Sequence, residues 1–345
     1  FLTRLTRLVF LPLLSQTQPL SRADFKICLD SGSASDKASI NNWELSLMVI
    51  FFSITLCIIF ILTKILFMNS ISRFLFKELD IRGQHLSLDS AWQAMIENRG
   101  YSTTLRQLFG ELSALSIILA SGMKHEGKLT LQIQGDGVVG LLFVEVTHDL
   151  KIRGMVRAKS AVNKEDDLDT ILGKGQIVAT LYNAQTDSSF QSLVSRNVKG
   201  LIPTFEDYFS QSEQLDSKLW IASDKNTLSA MLIQKMPSDS ANVEEDWNRI
   251  IALATTTTDE ELCTLPAQEL LHRLFHEEVL ELFAESPINY ECQQEREKFE
   301  KIIFDLGEQD ARALLKERGE ISIHNEICNV HLFFDGQDVD RIFSN

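Results

Sequence analysis

Cysteine is scarce in this chain. Five residues in 345, an odd number, exclude the dense disulfide framework of a small secreted domain and favour a reducing, cytoplasmic setting. Positive charge is scarce too: 33 Lys and Arg stand against 48 Asp and Glu, for a formal net charge of -15. A phosphate-binding surface needs clustered basic residues, so nucleic acid is excluded as the main partner. Nucleotide and catalytic signatures are missing as well. Gly135-Asp136-Gly137 joins two strand patterns and Gly173-Lys174-Gly175 completes no fingerprint, so both are read as turns rather than phosphate cradles. His272 and His276 have the spacing of a zinc peptidase pair, but Arg273 occupies the position of the general base. The two histidines are read as packing or capping groups. No serine sits on a glycine-rich elbow. The chain is not read as an enzyme, and no nucleotide cofactor is expected.

What is present first is an apolar run. Residues 45–67 read LSLMVIFFSITLCIIFILTKILF, long enough to span a bilayer and interrupted only by Lys64. The sequence begins with Phe1, and Met68 stands directly before MNSISRFLFKELDIRG, where globular patterning starts. Residues 1–67 are therefore expected to be translated upstream sequence, with a membrane anchor as the alternative. An export signal fits less well because the run is longer than a signal core.

The rest has the balance of a globular protein, acidic and able to bury a core. LSLDSAWQAMIENRG places Leu88, Ala91, Trp92, Met95 and Ile96 at helical spacing, and a second helix follows from Thr104 towards Gly122. These two helices are expected to open the domain. KLTLQIQ alternates, with Leu129, Leu131 and Ile133 on one face, and VVGLLFVEV follows after a glycine turn, which predicts a β-hairpin. KIRGMVRA, GQIVATLYN, SFQSLVSR, KLWIAS and LSAMLIQKM are further strand candidates, and LIPTFEDYFSQSEQ is predicted to be a helix packed on the sheet. The polar, acidic stretch PSDSANVEED marks a boundary. Short helices follow it, one capped by Thr258, with Pro266 separating two of them. The C-terminal residues offer two more helices and a small β element around ISIHNEICNVHLFF.

The fold class expected is thus α+β: a mixed N-terminal domain with a largely antiparallel sheet at 68–240, a helical linker at 241–285, and a small α+β domain at 286–345. Cys28 and Cys57 fall in the first 67 residues, and Cys263 lies on an apolar helical face where a small buried hydrophobe is the default. Cys292 and Cys328 remain. Each sits among polar residues, and the pair is open to three readings: half of a metal site, a disulfide, or two inert thiols.

Taken in order, LQIQGDG, YFSQSEQL, MLIQKMP, LHRLFHEE, CQQER, HNEIC and FFDGQDV resemble the heat-shock protein 33 family, the redox-regulated holdase chaperones. The resemblance runs from about Met68 to Phe343. It implies an N-terminal domain that binds unfolding proteins, a helical linker, a C-terminal zinc domain acting as switch, and a homodimer when active. It also implies four cysteine ligands in a CxC and a CxxC pair. Here Gln294 stands in place of one cysteine of the first pair and Asn325 in place of one of the second. Amides are neutral, hard and weak ligands beside thiolates, so zinc binding is expected to be weakened. A disulfide within either pair is impossible. A bond between Cys292 and Cys328 remains open, as does a Cys₂His₂ set completed by His324 and His331, or a metal-free domain packed through Phe299, Ile303, Leu306, Leu314 and Phe333.

The function expected from the resemblance is ATP-independent holding of unfolding or oxidatively damaged proteins. Two alternatives stand beside it: a thiol sensor using Cys292 and Cys328, and a membrane-tethered interaction protein if 45–67 is an anchor. The sequence assigns no client-binding residues. Leu270, Leu271, Leu274 and Phe275 are explained equally well as helix packing.

Overall fold

The computed structural model describes residues 69–163, 166–238, 242–292 and 296–344. Residues 1–67, with the apolar run 45–67, lie outside them, and so does Gln294. Among the described residues no helix is long and apolar enough to cross a membrane. In chain order the elements are β1 (Ser70–Phe76), β2 (Ile81–Leu88), α1 (Ser90–Ile96), α2 (Thr103–Ala120), β3 (Gly127–Gln134), β4 (Val139–Thr147), β5 (Lys151–Ala158), α3 (Leu168–Leu172), β6 (Gln176–Asn183), β7 (Ser188–Val194), α4 (Leu201–Ser212), β8 (Ser217–Ser223) and β9 (Leu228–Lys235). There follow α5 (Val243–Ala254), α6 (Asp259–Thr264), α7 (Ala267–Phe275), β10 (Leu280–Leu282), β11 (Ser286–Pro287), β12 (Asn289–Tyr290), α8 (Arg296–Leu306), α9 (Glu308–Arg318), β13 (Ile321–Asn325), β14 (Val330–Phe334) and α10 (Gly336–Phe343).

Two antiparallel-rich sheets carry the architecture, an α+β fold as the sequence predicts. The first runs β10-β1-β2-β9-β8, with β11 also on β1; the second runs β12-β5-β4-β3-β6-β7, where only β12 pairs parallel, with β5. The predicted hairpin is present, with Leu131 opposite Val144. α2 packs against strands of both sheets, and twelve of its residues are buried, so its apolar surface runs around the whole helix. Its two buried serines return their hydroxyls to the helix: Ser113 Oγ donates to Phe109 O at 2.6 Å and Ser116 Oγ to Leu112 O at 2.7 Å. No polar group is stranded there.

Three strongly apolar cores result. The largest gathers α1, α2, α4 and inner faces of both sheets around Trp92, Phe109 and Phe205. The second lies between the outer face of the first sheet and helices α5, α6 and α7. The third is small, with Ile303, Ala311, Ile321, Phe334 and Val339 buried among α8, α9, α10 and the β13–β14 hairpin.

The opening of the domain differs from the sequence reading among the described residues. Two strands come first, not two helices, and Leu88 ends β2 instead of starting a helix, which Asp89 caps before Ser90. The cause is burial: six of the seven β1 residues are at least partly shielded, on both faces, so the polar alternation that marks a half-exposed strand is absent. Residues 280–282, read as helical, instead pair with β1. The C-terminal core also differs in detail, since Phe334 points inward while Phe333 and Leu306 are exposed. Thr258 does cap α6, in a reciprocal capping box with Glu261.

Candidate functional site: a covered sheet and a bridged turn

Alternation along β1, β2 and β9 places Ser72, Phe74 and Phe76, then Ile81, Gly83 and His85, then Ser229, Met231 and Ile233 on one face. Helices α5 to α7 cover that face with Ile250, Ala254, Leu262, Leu270, Leu271, Leu274 and Phe275. The apolar linker residues singled out in the sequence are therefore packed on the sheet. Phe76 and Phe275 meet edge to face, ring centroids 5.1 Å apart. Gly83 makes room for this layer, because a Cβ there would stand 2.1 Å from the Phe74 ring.

The covered face is not wholly apolar. Ser72 and His85 sit opposite one another in its middle, both almost fully buried, and His85 Nε2 has no hydrogen-bond partner among the described residues. Burial alone pushes the His85 imidazole down to about 4, because its charged form cannot be solvated there. An orphaned buried nitrogen weakens the packing around it. Nearby, Cys263 packs against the same core, and burial raises its thiol to about 11, which leaves it protonated and unreactive. His272 is exposed and His276 ends α7 as its C-cap.

This geometry sets a pH dependence. The His85 pKa is depressed in the folded state, so its contribution is present above about 6.5 and is lost as pH falls from there towards 4. At pH 5 the loss is roughly 2 kcal/mol by linkage. The urea midpoint followed through the tryptophans beside this core, Trp220 and Trp247, should fall between pH 7 and pH 5 more steeply in the native chain than in His85→Leu. Equal slopes would remove His85 from the account.

The second candidate region lies at the C-terminal hairpin. β13 and β14 pair from Ile321–Phe334 to Asn325–Val330, and the connecting turn is closed by side chains. Asn325 Oδ1 accepts from Ile327 N at 3.1 Å and Cys328 N at 3.3 Å, while its Nδ2 donates to Cys328 Sγ at 3.3 Å. An amide acceptor bonded to the N–H groups two and three residues on is the Asx device that holds a turn. Asn329, at φ 53°, completes it, since Asn tolerates the left-handed region.

Cys328 is joined to Cys292 in a disulfide, Cα atoms 5.6 Å apart, within the usual range. Cys292 follows β12, which is fixed to the second sheet by pairing with β5, by Glu291 N donating to Ile152 O at 3.2 Å, and by the Lys151–Glu291 ion pair at 2.7 Å. The hairpin turn also docks on the α1–α2 connection and on β5. Arg99 donates to Glu326 O at 2.9 Å and to Ile327 O at 2.6 Å, Arg157 Nε donates to Glu326 Oε2 at 2.7 Å, and Asn329 Nδ2 donates to Asn98 O at 3.3 Å.

Of the residues expected to form a metal site, the structure brings together Cys292, Cys328 and Asn325. Gln294 lies outside the described residues, and the two histidines stand apart. His324 and His331 are cross-strand partners whose exposed rings stack on each other with centroids 4.3 Å apart, and His324 Nε2 shares a contact with Asn329 Oδ1 at 3.2 Å. Among the described residues no group of three or more His, Cys, Asp or Glu is placed to hold a metal. The donor set does not fit zinc in this state, because both sulfurs are consumed in one bond and the Asn325 amide in holding the turn. Arg99, Arg157 and His85 were not singled out in the sequence. Arg99 meets its acceptors 227 and 228 positions away, a relation no local pattern carries.

The model of the Hsp33 protein family matches residues 69–335. A 33 kDa chaperonin of Nitrosococcus oceani is 33% identical over 276 residues, 80% of this chain and 94% of that protein. One from Methylobacillus flagellatus is 36% identical over 278 residues, again 80% and 94%. In structure the chain is similar to the crystal structure of the 33 kDa chaperonin of Thermotoga maritima, with a TM-score of 0.67 and 17% identity, covering 80% of this chain and 98% of that one. The fold, the family model and the near full-length relatives agree: this chain belongs to the Hsp33 family.

Proposed function

We propose that the protein is an ATP-independent holdase chaperone, which binds unfolding polypeptides and keeps them from aggregating without turning them over. The observation that carries the reading is the covered sheet. A broad apolar face, Phe74, Phe76, Met231 and Ile233 among it, lies under three short helices whose packing encloses an unsatisfied histidine. Such a cover is held chiefly by apolar contacts, with ion pairs such as Lys235–Glu244 and Arg273–Glu261 at its partly exposed rim, and local opening of α5 to α7 would expose the face to client chains. In this reading residues 68–240 receive clients, 241–285 form the cover, and 286–345 regulate it. Relatives named 33 kDa chaperonin support the assignment.

The Cys292–Cys328 bridge favours a second layer, in which this thiol pair senses oxidants in the cytoplasm and sets how firmly the C-terminal residues are tied down. No zinc-dependent step is included. The test is light scattering from a thermally unfolding client protein, with the full chain added at increasing ratio and no nucleotide. Aggregation should be suppressed in proportion to chain added and level off near equimolar amounts. Suppression that needs ATP, or none at any ratio, would overturn the reading.

A further inference from the structure

β7 ends the second sheet on one side and pairs with β6 alone. Alternate residues of an edge strand turn their N–H and C=O groups outward, and no other strand of the described residues meets them. Proteins normally blunt such edges with charge, proline, a bulge or a cover. β7 has no charge, proline or bulge, and α4 packs only against one of its faces, where Val194 is buried, leaving the edge itself unpaired among the described residues. It reads SSFQSLV, its register with β6 is unbroken, and from Gly175 to Ser195 the only charged residue is Asp187. Phe190 and Leu193 are 72% and 67% exposed and stand on opposite faces by alternation. The other outer edges of the two large sheets differ: β12 and β10 are two and three residues long, and β8 is packed by α2, α4 and α6. On one face Phe190, Ser192 and Val194 border a cleft of about 980 Å³ that Phe205, Tyr208 and Phe209 also line.

We propose that β7 is a client-docking edge, where an extended, uncharged or weakly basic apolar segment of an unfolding polypeptide adds as a further strand. The proposal rests on the holdase reading and gives it a binding mode. Main-chain bonding to an edge is indifferent to sequence, which suits a protein whose clients share no motif, and Phe190 and Leu193 reward apolar side chains above and below the added strand. Charge selects the occupant. The edge is neutral within a chain of net charge -15, which repels acidic segments and a second copy of itself and leaves neutral or basic segments favoured.

The test uses the full chain and a short fluorescent peptide that alternates valine and threonine and ends in lysine, beside the same peptide N-methylated at alternate residues. N-methylation removes strand donors while keeping the side chains. Anisotropy should show binding that weakens about tenfold or more for the methylated peptide, and equally for a Phe190→Lys, Leu193→Lys double variant whose melting is unchanged because both sites are exposed. Equal binding of both peptides, unchanged binding by the variant, or no binding overturns the proposal. A dimer of the native chain that the same substitutions dissociate, with the peptide unbound, overturns it in favour of a second copy. Client light scattering separates the two readings. Suppression that persists in the double variant removes the edge and leaves the holdase, whereas peptide capture at β7 without suppression removes the holdase and leaves the edge.

Discussion

Replacing Phe275 by alanine should detach the helical cover from the sheet and make the protein active at temperatures where the native chain is silent. Phe275 is 1% exposed at the end of α7. Its ring is buried in the second core, where it packs edge to face on Phe76. Truncating a buried phenylalanine costs about 3–5 kcal/mol, including roughly 0.5–1.5 kcal/mol for the aromatic pair. Phe275 is not part of the larger core around Trp92 and Phe109, so the loss falls on the packing of α5 to α7 rather than on the sheets. A cover of three short helices with His85 orphaned beneath it has little stability to spare. Emission from Trp220 and Trp247, which border the second core, should therefore report an early transition in Phe275→Ala, well below the main loss of far-UV ellipticity. Client aggregation should be suppressed in the interval between the two. Phe109→Ala is the control, since a comparable cavity in the larger core should lower the main transition and yield no early activity. One cooperative transition in Phe275→Ala without gained activity would sink the idea that the cover moves independently.

How much of this was legible in the sequence depended on how each element is buried. β3 is exposed on one face, and its alternation in KLTLQIQ led directly to the β3–β4 hairpin. β1 and β2 lie between two cores, and SISRFLF offers no alternation to read. Leu88 shares helical spacing with Trp92 and Met95 by coincidence, although it is the last residue of a strand. β10, β11 and β12 exist only through pairing with distant strands, which no window on the sequence contains. α10 carries a local signal, since Asp335 and Asp338 form a reciprocal cap at its start. At the candidate site the cysteines identified themselves, but their partner did not. Asn325 looked like a lost ligand, and its role in closing the turn follows only from where its amide points.

Reducing the Cys292–Cys328 bridge should loosen the C-terminal core and raise chaperone activity. The two cysteines are 36 positions apart, and loop-closure entropy gives such a bridge roughly 3 to 4 kcal/mol. That is comparable to everything a unit of about sixty residues can supply from its own core, here five buried apolar side chains. Once the bond is cut, Asn325 still holds Ile327 N and Cys328 N, so the turn keeps its shape while the tether to β12 is lost. What remains is the Arg99 pair of bonds to backbone carbonyls, the Asn329–Asn98 bond and the Arg157–Glu326 ion pair, the last exposed and worth at most about 1 kcal/mol. Hydrogen exchange across α8, α9, α10 and the hairpin should accelerate on reduction while α2 and the two sheets stay protected. Scattering assays at one temperature should rank the reduced chain above the peroxide-treated chain. Cys328→Ala should match the reduced chain whether or not peroxide is present, because it cannot form the bond. If peroxide instead raises the activity of the native chain, and Cys328→Ala stays inactive in both conditions, the bridge is the active state and the direction of regulation argued from its position is wrong.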